Sequence, residues 1–158
     1  MATRKRVFIS YSHTDRVWLQ RICEQLAVLE REGLIDVFTD SQIGAGEDWF
    51  ARLHTEMLKA KVGLLLVSAP FLSSAFIRDE EIPRLFDKHA AGGMTIYPLL
   101  IRPCPWKRVK WLSQLQLRPP NAVPVSSLRG ANREQALATV ADEIASLVVS
   151  GARGRSNR

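Results

Sequence analysis

Apolar positions follow two rhythms along this chain. Between 16 and 31, Trp18, Leu19, Ile22, Leu26 and Leu29 recur at steps of three and four, which predicts an amphipathic helix. Gly33 stands where a helix places its terminating left-handed glycine. The runs "RVFISYS" (6–12), "LIDVFTD" (34–40), "KVGLLLVS" (61–68) and "MTIYPLLIR" (94–102) are short and β-rich, so they read as strands. The third is nearly all apolar, as a strand covered on both faces must be. A second helix is expected over 49–60, with Phe50, Leu53, Met57 and Ala60 as its stripe, and a last one over 132–149 along Leu137, Val140, Ile144 and Leu147. Helical turns within 68–93 meet Pro83, which kinks or restarts them. The stretch 103–128 is irregular, and Val123–Val125 is expected as a short edge strand, where prolines are tolerated. Strands alternating with helices predict an α/β domain with a parallel sheet covered on both sides.

Length and charge narrow this picture. The 158 residues suffice for one domain with a sizeable core. The net charge of +6 resides at the ends: Arg4, Lys5 and Arg6 open the chain, and Arg153, Arg155 and Arg158 close it. Without these six, the 22 basic residues become 16, against 16 acidic ones, so the body is neutral and a nucleic-acid groove is not expected. The organisation read here is a basic segment 1–5, a domain over 6–149 and a basic disordered tail over 150–158. No apolar run approaches a membrane span and no signal-peptide core follows the start, so a cytoplasmic protein is expected. Cys23 and Cys104 fit reduced thiols.

In an open parallel sheet, ligands bind beyond the carboxyl ends of the strands. "SYSHTD", "DSQIGAGEDW" and "SAPFLSSAFIRDEE" converge there, bringing Ser10, Tyr11, Ser12, Asp40, Gly46, Trp49 and Ser74, and the acids Asp79, Glu80 and Glu81. Ser12, Thr14 and Asp15 are also N-cap candidates. Helical spacing puts Ile77 and Glu81 on one face and turns Asp79 and Glu80 elsewhere. These two read as acids that stabilise the positive end of a helix. From the residues alone, two readings of Glu81 stand side by side, a solvated acid and a catalytic one whose pKa apolar neighbours raise. His13, His54 and His89 lack ligand spacing, so no metal is expected. "GAG" (44–46) has neither the Lys and Ser/Thr of a phosphate loop nor a third glycine, and the serines have no visible base for a hydrolase triad. Trp106, Lys107, Arg108, Lys110 and Trp111 interleave rings and charges as single-strand binders do, but read as a surface turn with buried tryptophans.

"RVFISYSHTD", "VFTD…IGAGEDW", "VGLLLVSAPFLSSAFIRDEEI" and "IYPLLI" together resemble, in order and spacing, a Toll/interleukin-1 receptor (TIR) domain of the bacterial type, over about residues 5–149. The resemblance implies a flavodoxin-like α/β fold with a central five-stranded parallel sheet flanked by helices on both faces. It implies that 41–48 is the loop used in self-association. Many bacterial members cleave NAD⁺ at the nicotinamide–ribose bond, giving ADP-ribose or a cyclic isomer, and NAD⁺ would then be a substrate with no cofactor required. The family's glutamate maps onto Glu81, while Ile77 replaces the tryptophan often found four residues earlier. The resemblance also implies that Tyr11 and Trp49 position rings, that Ser10, Ser12 and Ser74 hydrogen-bond, and that Asp40 and Gly46 shape the mouth. Anti-phage defence with a sensor or effector partner is the implied setting. A non-enzymatic TIR–TIR scaffold or a pathogen effector is the alternative, and a nucleoside glycosyltransferase is a further one by fold analogy alone.

Overall fold

The structure, a computed structural model, describes residues 3–40 and 48–153. Four parallel strands, β1 (Lys5–Ser10), β2 (Ile35–Phe38), β3 (Ala60–Val67) and β4 (Thr95–Leu100), lie in the order β2-β1-β3-β4. Parallel pairing forces each connection to cross over, and helices do so. The helix α1 (Arg16–Arg31) joins β1 to β2, α2 (Trp49–Lys59) leads into β3, and α3 (Ala69–Ser73) and α4 (Ile82–Ala90) join β3 to β4. A short α5 (Lys110–Ser113) and the long α6 (Gly130–Arg153) follow. α6 continues past 149 into the segment that composition suggested was disordered.

Two apolar layers sandwich the sheet. On one face, Leu19, Ile22, Leu26 and Leu29 of α1 and Leu137, Val140 and Ile144 of α6 pack on Val7, Ile9, Leu64, Leu66 and Leu99. On the other, Leu53 and Met57 of α2, Phe71 of α3 and Ile82 and Leu85 of α4 pack on Phe8, Leu65 and Val67. Alternate residues of β1 and β3 thus face opposite layers, and the strands are apolar where both faces are covered, over 7–9 and 62–67. α1 ends as its glycine predicts: Gly33 has φ +75°, and Leu34 N–H donates to the Leu29 carbonyl at 3.0 Å. In α2, Phe50 departs from the expected stripe and is 41% exposed, while Ala60 opens β3.

The described residues form four strands rather than five. Val123–Val125 does not pair as a strand; Val125–Ser127 is a 3-10 turn whose Ser126 N–H donates to the Ile101 carbonyl at 2.9 Å. Pro119, Pro120 and Pro124 remove the N–H groups that a ladder there would need. The outer edge of β4 is covered instead by one bridge: Arg118 N–H donates to the Pro98 carbonyl at 2.8 Å, and Leu100 N–H to the Arg118 carbonyl at 2.7 Å. Pro98 fits in β4 because its missing N–H lies on this outer side.

Candidate active site

The carboxyl ends of β1 and β2 and the segment after β3 meet at Glu81. The chain leaves β3 through α3, capped by the Ser68 hydroxyl, which accepts from Phe71 N–H at 3.2 Å. Helical structure resumes at Ala75, with the Ser74 hydroxyl accepting from Ile77 N–H at 3.3 Å. Ile77–Glu81 is then a single π-helical turn, closed by Ile82 N–H bonding to the Ile77 carbonyl, and Pro83 sits in the first turn of α4 beyond it. The extra residue of a π-turn changes which side chains face inward, and such turns concentrate at functional sites. Here Ile77 and Glu81 are both buried, at 5% and 8% exposure. Asp79 points out and pairs with Arg78 at 2.9 Å, and Glu80 pairs with Arg84 at 3.3 Å. Of the acidic triplet, only Glu81 is buried.

Burial pushes the Glu81 carboxyl up to about 7. The Ser10 hydroxyl pulls it back, Asp40 raises it further and the His13 imidazole lowers it. Those influences place Ser10, Asp40 and His13 around one carboxyl. Among the described residues Ser10 Oγ and Asp40 Oδ1 are buried without a well-formed hydrogen bond, although the Ser10 hydroxyl acts on Glu81 and Asp40 on the Tyr11 hydroxyl. Buried polar atoms are nearly always satisfied, so two loosely satisfied ones beside a buried acid leave capacity for further donors and acceptors. On its other side Glu81 borders a cavity of about 10 Å³ lined by Phe50, His54, Phe76 and Arg84, room for one water.

The remaining expected site residues have distinct placements. Tyr11 is buried at the end of β1, its ring 5.6 Å from that of His13, and burial followed by the Asp40 charge pushes its hydroxyl up to about 12. Ser12 caps the 3-10 turn His13–Asp15, its hydroxyl 2.9 Å from that of Thr14. Trp49 opens α2, 39% exposed, with its ring 5.0 Å from Phe76. Gly46 and the rest of the segment 41–48 expected to serve association, Asp48 apart, lie outside the described residues.

Sequence reasoning missed three features. His13 Nε2 lies 2.7 Å from Asp40 Oδ2, a pairing of residues 27 apart that no motif announces. Asp15 makes no cap hydrogen bond; its buried carboxylate accepts from Ser68 Oγ at 2.5 Å and from Arg102 Nε at 2.8 Å, tying the ends of β3 and β4 to the start of α1. Phe76 was not expected to back Trp49. Trp106 and Trp111 are half-buried, the latter against Phe86. Among the described residues no cluster of His, Cys, Asp and Glu has the makings of a metal centre, and no helix is long and apolar enough to cross a membrane.

A doubly covered parallel sheet with a buried carboxyl at its carboxyl edge defines an α/β domain of the flavodoxin type, a class whose ligands bind at that edge. The family model described as TIR domain matches residues 7–139, and the chain belongs to that family. An uncharacterized protein of Sinorhizobium fredii, y4lF, is 33% identical over 120 residues, which are 76% of this chain and 37% of that protein. The chain thus spans little more than a third of that curated relative's length. The TIR domain of the Toll-related receptor TRR-2 from Hydra magnipapillata is 26% identical over 62% of this chain and 71% of its own, with a TM-score of 0.42. TIR domains in the activated Roq1 resistosome directly recognizing the pathogen effector XopQ share 18% identity over 87% of this chain and 84% of theirs, with a TM-score of 0.55, which shows the common fold. TIR domains self-associate, and they act as NAD⁺-cleaving enzymes or as scaffolds.

Proposed function

We propose that this TIR domain cleaves NAD⁺ between nicotinamide and ribose, with Glu81 as the catalytic residue. The observation that carries the reading is the buried Glu81 carboxyl at the sheet's carboxyl edge, facing the Ser10 hydroxyl, which has no well-formed hydrogen bond among the described residues. Nicotinamide leaves as a neutral molecule with the electron pair of the C–N bond, and positive charge develops on the ribose. A carboxylate held out of water stabilises that charge more strongly than one in solvent, because the local dielectric is low and no solvent must reorganise. Asp40 Oδ1 and Ser10 Oγ offer hydrogen bonds to ribose hydroxyls, and Tyr11 and Trp49 supply ring surfaces. Ser12 and Ser74 act by capping the segments that carry these groups. The chemistry of a neutral leaving group requires no metal or cofactor.

Self-association through 41–48, with Gly46 shaping the mouth, fits an enzyme active only when assembled. A cytoplasmic role in bacterial anti-phage defence, with a sensor or effector partner, is part of the same proposal and rests on the family resemblance. A scaffold is the second reading, favoured by the apolar surface that Trp49, Phe50 and Leu58 of α2 expose. Chromatography of NAD⁺ incubated with concentrated or crowded protein, beside Glu81→Gln checked by circular dichroism, separates the two. Nicotinamide released by the wild type and lost in the folded variant supports the enzyme. Intact NAD⁺ in every assembled preparation would leave the scaffold.

A further inference from the structure

We infer that His13, oriented by Asp40, takes the proton from the water that completes the reaction and so directs it to hydrolysis. The inference rests on the NAD⁺-cleaving reading of the same site. His13 begins the turn after β1, and Asp40 follows β2, the neighbouring strand. Their 2.7 Å contact uses His13 Nε2 and Asp40 Oδ2. With Nε2–H donated to the carboxylate, Nδ1 is left as the proton acceptor. Tyr11, buried beneath, packs its ring 5.6 Å from the imidazole and limits its rotation.

Three further observations distinguish this pair from a surface tie between two loops. His13 follows β1 and Asp40 follows β2 at the carboxyl edge of the sheet where Glu81 is buried, and both act on its charge. The second oxygen of Asp40 is buried and has no well-formed hydrogen bond among the described residues, with the Tyr11 hydroxyl nearby, which leaves it capacity for a ligand hydroxyl. The His13 side chain is 64% exposed, so water reaches it. A carboxylate that fixes an imidazole, which in turn faces the attacking oxygen, is the arrangement by which general bases are held. The step balances without any co-reactant. The C–N bond breaks with its electron pair on nicotinamide, and the water oxygen forms the new bond to the ribose carbon. The water's proton passes to Nδ1 and then to solvent, giving nicotinamide, ADP-ribose and one proton.

A nucleophile with no proton to lose provides the test. Wild type, His13→Ala, His13→Gln and Asp40→Asn are incubated with NAD⁺ and pyridine, and nicotinamide, ADP-ribose and the pyridine-exchanged dinucleotide are resolved. Pyridine attacks through its nitrogen lone pair and needs no base. The expected result is a fall of at least about ten-fold in the ratio of ADP-ribose to exchanged dinucleotide in all three variants, in keeping with the contribution of a general base. Nicotinamide release per folded molecule is measured alongside, so that the ratio reports how the reaction is partitioned between water and pyridine whatever the rate of bond cleavage. An unchanged ratio in the His13 variants overturns the inference, and so does recovery in His13→Gln, which keeps a hydrogen bond to Asp40 but cannot take a proton. A wild type that releases nicotinamide without forming ADP-ribose overturns it too. A wild type releasing no nicotinamide removes the NAD⁺ reading and this one together, which sets that failure apart from the others.

Discussion

Glu56 and Glu81 are both buried, at 4% and 8% exposure, and lie at opposite ends of the sheet. At the amino end, Arg6 bonds directly to Glu56, and Arg52 and Lys59 approach it at 3.6 Å. Arg6 and Arg52 also lie over the Phe38 ring, at 5.9 and 5.4 Å. At the carboxyl end, Glu81 has no cation paired with it among the described residues and faces a hydroxyl and a second acid. The first glutamate is compensated, so its burial serves the fold. The second is not, so its burial raises the pKa and is a cost that the fold carries for the site.

The sharpest way to break this comparison is to neutralise each acid in turn. Glu81→Gln should lower nicotinamide release by about 1,000-fold, roughly 4 kcal/mol of barrier, while the folded structure persists. Activity within ten-fold of wild type would remove Glu81 from the chemistry. The same variant should reveal the cost of burial through pH. Because the folded pKa of about 7 lies above the ordinary 4.5, the native chain holds a proton in that interval that the unfolded chain has lost. The stability from this group is present below 4.5 and is lost as pH rises to about 7, up to about 3 kcal/mol. Urea denaturation of wild type and Glu81→Gln at pH 5 and 8 should show the variant gaining relative stability at the higher pH. A constant difference would mean that Glu81 titrates as a solvated acid. Nicotinamide release by the wild type should rise over the same window.

Glu56→Gln should behave in the opposite sense. It leaves three cations facing each other and should cost about 2 kcal/mol in the urea midpoint, below the figure for fully buried pairs because Arg6, Arg52 and Lys59 are partly exposed. Nicotinamide release per folded molecule should be unchanged; a parallel loss of activity would erase the distinction between the two ends. The smallest effect belongs to Ser10→Ala. Removing a buried hydroxyl that interacts only loosely with Glu81 should change stability by less than about 1 kcal/mol. It should lower release a few-fold at pH 7, because the group that favours the charged Glu81 is gone.

The long helices and the four strands were legible because each leaves a local trace: the period of Leu19, Ile22, Leu26 and Leu29, the apolar run of β3, the terminating Gly33. The short α5 was not, inside a stretch read as irregular, and Glu81 was singled out by the family resemblance, the residues alone leaving it open between a solvated and a catalytic acid. The extra residue between Ile77 and Glu81 was not legible either, since a π-turn has the composition of an α-helix and is revealed only by its hydrogen bonds. The helical period still placed Ile77 and Glu81 together. The His13–Asp40 pair and the cations around Glu56 depend on strand order, which brings residues 27 and 50 positions apart into contact. The fifth strand was over-read from Val123–Val125 because β-branched residues set the expectation and the prolines around them set the outcome.

The π-turn also bears on heredity. Loss of one codon within 77–81 would remove the extra residue that the turn accommodates, while Pro83 would still interrupt the backbone hydrogen bonds just beyond it. Three bases are thus enough to re-aim the segment that carries Glu81 while the reading frame of α4, β4 and α6 is kept.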